Sequence, residues 1–90
     1  MEIKGICFTP GGEDTLGRIL DLQWSADDHL QAYVMSGHRK KAAEAGLAAD
    51  ERILLWEGRL GEWMARMIQE ADAFVFVGAA GIAIRALAPY

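Results

Sequence analysis

The run Ala73-Phe74-Val75-Phe76-Val77 constrains the fold of this chain more than any other segment. It carries an apolar side chain at every position and lacks the alternation of a half-exposed strand. A strand of this composition is typical of a parallel sheet whose two faces are both covered. The segment therefore predicts an α/β fold, in which helices pack on both sides of a central sheet.

Strand and helix patterns alternate along the rest of the chain. Further strands are predicted from Ile3 to Phe8 and from His29 to Met35, each ending at a glycine-containing turn. Apolar residues at helical spacing predict a helix after the first strand and a second one before the last strand. The second helix carries the apolar stripe Leu60, Trp63, Met64, Met67, Ile68 and Ala71. A final helix is predicted from Ile82 to Ala88.

This order predicts one domain over residues 1–90, a three-layer, flavodoxin-like parallel sheet with strand order 2-1-3 and helices on both faces. The segment from Ser36 to Arg52 is the least defined, and we expect at most a short surface helix from Arg39 to Ala49. Ile53 to Trp56 is interpreted as a brief apolar patch that leads into the next helix. No strand is predicted there.

Small size limits how large a core this domain can form. Ninety residues bury only about 60% of the surface of the unfolded chain. Three tryptophans, Trp24, Trp56 and Trp63, either fill the core or cover a surface that a partner occupies. Because the last predicted helix reaches Pro89-Tyr90 soon after it starts, we expect the sheet to be incomplete in this chain. A homodimer or a missing C-terminal domain would complete it.

Charge and hydropathy exclude two classes of partner. Thirteen acidic and nine basic residues give a net charge of -4, which argues against non-specific binding to nucleic acid. The longest charge-free run, Ala73 to Ile84, is too short to cross a bilayer. The first residues lack the basic start and apolar stretch of a signal peptide. We therefore expect a soluble, cytoplasmic protein without a membrane partner.

The predicted topology places a ligand site at the carboxyl ends of the first and last strands. With the first strand central, the crevice between these two strands is the point where the winding of the sheet reverses, and ligands bind there in open α/β sheets. Two glycine-rich loops follow these strands and open helices, so they offer backbone N–H groups to an anion. The candidate substrate-binding residues are Thr9, Gly11, Gly12, Gly78, Ala79, Ala80, Gly81 and Arg85.

Other chemical groups carry weaker signals. The chain has neither a Walker A loop nor a Gly-x-Gly-x-x-Gly fingerprint. The two histidines, His29 and His38, are predicted at the surface, the latter in a polar loop, and Cys7 is predicted as a buried apolar residue and not as a nucleophile. No spacing of His, Cys, Asp and Glu residues predicts a metal site. The catalytic residues remain unassigned.

The segment Gly78-Ala-Ala-Gly-Ile-Ala-Ile-Arg-Ala-Leu-Ala-Pro89, with the preceding Ala71 to Val77, resembles the N-terminal domain of the CbiG family. These proteins are cobalt-precorrin-5A hydrolases of anaerobic cobalamin biosynthesis. The stretches Phe8-Thr-Pro-Gly-Gly12 and Leu60-Gly-Glu-Trp63 are similar to the same domain. A Ser-Gly-His motif of the family follows the Gly-Ala-Ala-Gly segment. Here Ser36-Gly-His38 precedes that segment, so it is interpreted as a coincidence.

The resemblance implies hydrolysis of the lactone of cobalt-precorrin-5A, with release of acetaldehyde and formation of cobalt-precorrin-5B. The substrate is then a carboxylated cobalt-tetrapyrrole, and cobalt enters only as part of it, without a resident cofactor. Family members continue with further strands and usually a second domain. Two alternatives stay open: a non-catalytic substrate-docking or assembly module of the same α/β class, and a flavodoxin-like module that binds an anion or a nucleotide.

Overall fold

The computed structural model describes residues 1–9, 11–22, 24–78 and 89. Within these residues, strands and helices alternate as β1 (Glu2–Cys7), α1 (Gly12–Leu20), β2 (His29–Met35), α2 (Ser36–Glu44), β3 (Leu54–Trp56), α3 (Leu60–Met67) and β4 (Ala73–Val77). The strands form one sheet in the order β3-β2-β1-β4, and every neighbouring pair is parallel. The predicted α/β class with a parallel sheet is confirmed.

The predicted strand order 2-1-3 is wrong, because the described sheet has a fourth strand that the sequence analysis did not count. The three predicted strands are β1, β2 and β4, and β1 lies between the other two. The additional strand, β3, pairs with the outer edge of β2, with Leu54 beside Tyr33 and Trp56 beside Met35. Three residues are too few to show a period-2 pattern, so pairing with β2 defines this strand.

Helix α2 begins earlier than expected. It starts at Ser36, directly after the last residue of β2, whereas a helix was predicted only from Arg39. Ala42 is the only buried residue of this helix. The helix therefore lacks an apolar stripe that sequence periodicity would detect. The predicted last helix, Ile82 to Ala88, lies outside the described residues. None of the described helices is long and apolar enough to cross a membrane.

Two apolar clusters cover the opposite faces of the sheet. Successive residues of a strand point to opposite faces, and Ile6 and Cys7 accordingly belong to different clusters. The cluster under α3 consists of Ile6, Phe8, Trp63, Met64 and Met67. The cluster under α1 consists of Cys7, Leu16, Ala32, Val34 and Ile53. Helices therefore lie on both sides of the described sheet, and the central strand β1 contributes to both clusters.

The three tryptophans divide between core and surface. Trp63 of α3 is fully buried, and its ring contacts those of Tyr33, Phe74 and Phe76 at steep angles, with centroids 5.7 to 6.5 Å apart. Such tilted contacts between aromatic rings are favourable. Trp24 remains 37% exposed, and its indole N–H donates to the carbonyl of Ile19. Trp56 is half-buried and packs against the cluster under α3, so two of the three indoles contribute to the core.

Candidate functional site

The predicted ligand crevice corresponds to the carboxyl ends of β1 and β4. The chain winds outward from β1 through β2 to β3, and it then returns to the other side of β1 to form β4. The winding therefore reverses between β1 and β4, which is the switch point at which open α/β sheets bind ligands. Both strands run in the same direction, with Cys7 beside Val77, so the loops that follow them meet at one edge.

The loop after β1 is held tightly against the end of β4. The backbone N–H of Phe8 donates to the carbonyl of Val77 at 3.1 Å, and that of Gly12 donates to the carbonyl of Thr9 at 3.1 Å. A Cβ atom at Gly12 would lie 2.8 Å from the side chains of both Cys7 and Thr9. Only glycine fits this position without displacing its neighbours. The turn therefore brings the Thr9 hydroxyl to the start of α1.

Gly78 directly follows β4 and adopts a backbone conformation that other residues rarely adopt. Its φ angle is +150°, and a Cβ atom there would lie 2.4 Å from the ring of Phe8. The structure thus brings the predicted residues Thr9, Gly11, Gly12 and Gly78 to one edge of the sheet. The other predicted site residues, Ala79, Ala80, Gly81 and Arg85, lie outside the described residues.

The first turn of α1 contains a buried carboxylate that already has its own partner. Glu13 is buried, and its Oε1 accepts a hydrogen bond of 2.7 Å from Nε of Arg39 on α2. Arg39 also donates to the carbonyls of Asp50 and Ile53 at 3.1 and 2.8 Å. One ion pair therefore joins α1, α2 and the segment that precedes β3. No sequence pattern predicts this ion pair, because residues 13 and 39 are far apart in the chain.

This pair changes the electrostatics of the predicted anion site. The N-terminus of a helix attracts anions through its partial positive charge. In α1, Glu13 and Asp14 place two carboxylates in that first turn, and the guanidinium of Arg39 compensates only Glu13. Asp14 is exposed and pairs with exposed Arg18 at 3.2 Å. An anionic ligand would therefore find less attraction at α1 than the glycine-rich loop alone suggests.

Beside the crevice, two adjoining pockets lie between the first turn of α1 and the segment 47–52. Their volumes are about 390 and 340 Å³, and Glu13, Asp14 and Ala48 line both. Asp50, Glu51 and Arg52 line the larger pocket, whereas Gly11, Ala42 and Leu47 line the smaller one. Sequence reasoning did not predict these pockets, since the segment 47–52 carries no regular pattern.

A second group of charges holds the same segment to the end of α1. Arg52 contacts Asp21 at 2.6 Å and Asp50 at 2.7 Å, and it also donates to the carbonyl of Gly17 at 3.3 Å. The hydrogen bond from Arg52 lowers the pKa of Asp50 below its usual range. These groups are more exposed than Glu13, so their pairing contributes less to stability.

We expect Glu13→Gln to lower the free energy of unfolding by about 3 kcal/mol, because it leaves the Arg39 guanidinium without its buried counter-charge. The matched control is Asp14→Asn, which removes an adjacent but exposed carboxylate and should change stability by less than about 0.5 kcal/mol. Urea denaturation followed by circular dichroism measures both. Equal effects of the two substitutions would show that the Glu13–Arg39 pair is not a structural contact.

Cys7 is unsuited to nucleophilic catalysis. It is fully buried at the end of β1, and burial together with the nearby charge of Glu13 raises the pKa of its thiol to about 12. The thiolate, which is the reactive form, is therefore scarce near neutral pH. Its position agrees with the predicted role as a buried apolar residue.

A thiol reagent should distinguish native from unfolded protein. We expect Ellman's reagent at pH 8 to leave Cys7 unmodified for hours in the native protein and to modify it within minutes in 6 M guanidinium chloride, because burial both shields the thiol and disfavours its ionisation. Absorbance at 412 nm measures the reaction. Rapid modification of the native protein would contradict the placement of Cys7 in the core.

The two histidines lie near opposite ends of strand β2. His29 is exposed at the start of β2, and its Nδ1 lies 2.9 Å from a carboxylate oxygen of Glu2. His38 lies in the first turn of α2, at the carboxyl end of β2, and not in the loop that the sequence predicted. It is half-buried, and its Nδ1 has no hydrogen-bond partner among the described residues. Burial and the charge of Lys41 lower its pKa.

The described residues form an α/β fold with a parallel sheet whose winding reverses between β1 and β4. Within the described ranges, no three side chains of His, Cys, Asp and Glu converge as metal ligands. Comparisons with protein-family models, curated proteins and solved structures found no match. The functional interpretation therefore depends on the residues of this chain and on the family resemblance of their sequence.

Proposed function

We propose that this chain is a domain of a cobalt-precorrin-5A hydrolase of cobalamin biosynthesis that works in the cytoplasm. The proposal is carried by one observation, the resemblance of the segment from Gly78 to Pro89 and the strand before it to the CbiG family. The reaction adds water to the lactone of the substrate, releases acetaldehyde and yields cobalt-precorrin-5B. Cobalt takes part as a component of the substrate.

The arrangement of the sheet supports this proposal at the level of the fold. Strands β2, β1 and β4 lie side by side in the relative order that the alternation of strand and helix patterns predicts, and β3 adds a strand beside β2. The two loops that resemble the family follow β1 and β4, which are neighbours. Parts of the chain that are distant in sequence thus meet at one edge of the sheet, as a shared ligand site requires.

The described residues support docking of a carboxylated macrocycle more directly than they support its hydrolysis. Gly11 and Gly78 are exposed at the carboxyl edge, and the half-buried Thr9 lies beside them with a hydroxyl group that could hold an oxygen of the ligand. Glu13 is buried and paired with Arg39, so repulsion of the substrate's carboxylates at the first turn of α1 comes from the exposed Asp14. We therefore propose that the acidic groups of the macrocycle point toward the β4 side, where the resemblance implies Arg85 as a partner. We assign no catalytic base.

The test is acetaldehyde release from cobalt-precorrin-5A by the 90-residue chain, with a complete CbiG-family enzyme as positive control. Release would locate the catalytic groups within residues 1–90. Binding of the substrate without release would assign a docking role to this chain and the chemistry to other parts of the enzyme. If the chain neither binds the substrate nor releases acetaldehyde, the proposal is contradicted.

A matched pair of glycine substitutions tests the location of the site. A Cβ atom at Gly11 would meet no atom within 4 Å, and the same holds for Gly61 at the start of α3. We expect Gly11→Leu to fold normally but to weaken substrate binding at least tenfold by occupying the crevice, whereas Gly61→Leu leaves affinity unchanged. Absorbance titration of the corrinoid measures the affinity, and equal affinities for the two variants would exclude this crevice.

A further inference from the structure

The segment 47–52 is fixed at both of its ends. Before it, α2 ends in a Schellman motif, in which Gly46 has a φ angle of +80° and the backbone N–H of Leu47 donates to the carbonyl of Ala42 at 2.9 Å. After it, Ile53 is buried in the cluster under α1. The segment can therefore move between these two points while α2 and β3 stay in place.

Between its ends, the segment 47–52 is held by polar contacts and not by apolar burial. Its first three residues are exposed, and its last three are charged. The backbone N–H of Asp50 donates to Oε2 of Glu13 at 3.3 Å. Arg52 binds α1 at two points, and Arg39 of α2 donates to the carbonyl of Asp50. Segments with few buried apolar contacts open at a lower free energy than the core of a domain.

Gly17, in the middle of α1, gives the segment room to approach this helix. Glycine weakens a helix relative to alanine, so its presence there has a cost. A Cβ atom at Gly17 would lie 2.7 Å from Oδ2 of Asp50 and 3.6 Å from the guanidinium of Arg52. Both side chains therefore lie against the backbone of α1, and a larger residue at position 17 would displace Asp50.

We propose that the segment 47–52 is a strap that opens as a unit while the sheet stays folded. Asp50, Glu51 and Arg52 form one wall of the larger pocket, and the smaller pocket beside it reaches Gly11. Opening removes that wall, so the space beside Gly11 extends along α1 and admits a larger ligand than the closed strap allows. The strap depends on no particular ligand, and therefore not on the function proposed above.

Hydrogen–deuterium exchange of the 90-residue chain, followed by NMR, tests the proposal. The amides of Asp50 and Ile53 report the strap, since they donate to Glu13 and to the carbonyl of Asp50. The amide of Phe8 reports the sheet, since it donates to the carbonyl of Val77. We expect both strap amides to be protected, but with protection factors at least about a hundredfold below that of Phe8.

Two arginine variants test which contacts close the strap. Arg52→Gln removes the ion pair with Asp21 and the hydrogen bond to the carbonyl of Gly17, and it should lower the protection factor of Asp50 about fivefold or more. Arg18→Gln is the matched control, because it removes an equally charged side chain of α1 that pairs with exposed Asp14 and should leave the strap unchanged.

Two glycine variants test the approach of the strap to α1. Gly17→Ala should lower the protection factor of Asp50 about tenfold and leave that of Phe8 unchanged, which also verifies folding. Gly61→Ala in α3 is the control, because a Cβ atom there would meet nothing within 4 Å.

Four results would each overturn the proposal. The first is equal protection of Asp50 and Phe8, which would mean that the strap opens only when the whole domain unfolds. The second is no protection of Asp50, which would mean that the strap is not closed. The others are an Arg52→Gln variant that exchanges like Arg18→Gln, and a folded Gly17→Ala variant that exchanges like Gly61→Ala.

Discussion

Replacing Trp63 with alanine is expected to lower the free energy of unfolding by about 4 kcal/mol. The indole is 0% exposed and fills the space between α3 and the sheet, where it contacts the rings of Tyr33 and Phe76. Its removal leaves a cavity that a short helix and a parallel sheet cannot close. Domains of this size have a total stability of roughly 5–15 kcal/mol, so the variant should unfold at a much lower urea concentration.

Two further tryptophan variants make this experiment specific. Trp24→Ala removes a partly exposed indole and should cost less than about 1 kcal/mol. Trp63→Phe should cost less than Trp63→Ala, because it keeps a ring in the core and removes an indole N–H that has no hydrogen-bond partner among the described residues. Urea denaturation followed by far-ultraviolet circular dichroism measures all three. Equal midpoints for Trp63→Ala and Trp24→Ala would contradict the packing described for α3.

Gly78→Ala is expected to cost about 3 kcal/mol, from backbone strain and a steric clash together. Alanine is disfavoured at a φ angle of +150°, and its Cβ atom would lie 2.4 Å from the buried ring of Phe8. The ring cannot move without disturbing the cluster that it shares with Trp63 and Met64. The thermal midpoint of the variant should fall by more than about 10 °C.

The control for Gly78 is Gly11, on the facing loop of the same crevice. Gly11 has a negative φ angle, and a Cβ atom there meets nothing within 4 Å. Gly11→Ala should therefore leave the thermal midpoint within about 2 °C of that of the unmodified chain. Differential scanning calorimetry compares the two variants. A Gly78→Ala variant as stable as Gly11→Ala would show that the loop after β4 does not approach Phe8 closely.

Those elements that bury a regular apolar pattern could be predicted from the sequence. The stripe of α3 reports its burial directly, because an apolar side chain at each repeat has to avoid water. The run Ala73–Val77 correctly predicts a strand of the parallel sheet, but each of its residues is half-buried and not fully covered. Strand β3 and the start of α2 could not be predicted in this way. Strand β3 is defined by its pairing with β2, and α2 is held by contacts such as that of Arg39 with Glu13.

The candidate site, like the fold, has some features that the sequence predicts and others that it does not. The glycines after β1 and β4 indicate sharp turns in the sequence itself. Because the prediction placed β1 beside the last strand, it also placed these two turns at the same edge of the sheet. The pairing of Glu13 with Arg39, the adjoining pockets and the placement of His38 in α2 were not visible in the sequence. These features depend on how the helices pack against one another, and the local sequence pattern carries no information about that packing.

The sequence by itself therefore determined the α/β class and three of the four described strands, since apolar periodicity and glycine turns are local properties. Only the tertiary structure decided the fourth strand, the strand order and the charge balance beside the crevice. The physical reason is that a hydrogen bond between strands and an ion pair between helices join residues distant in the chain, and their formation depends on the packing of the whole domain.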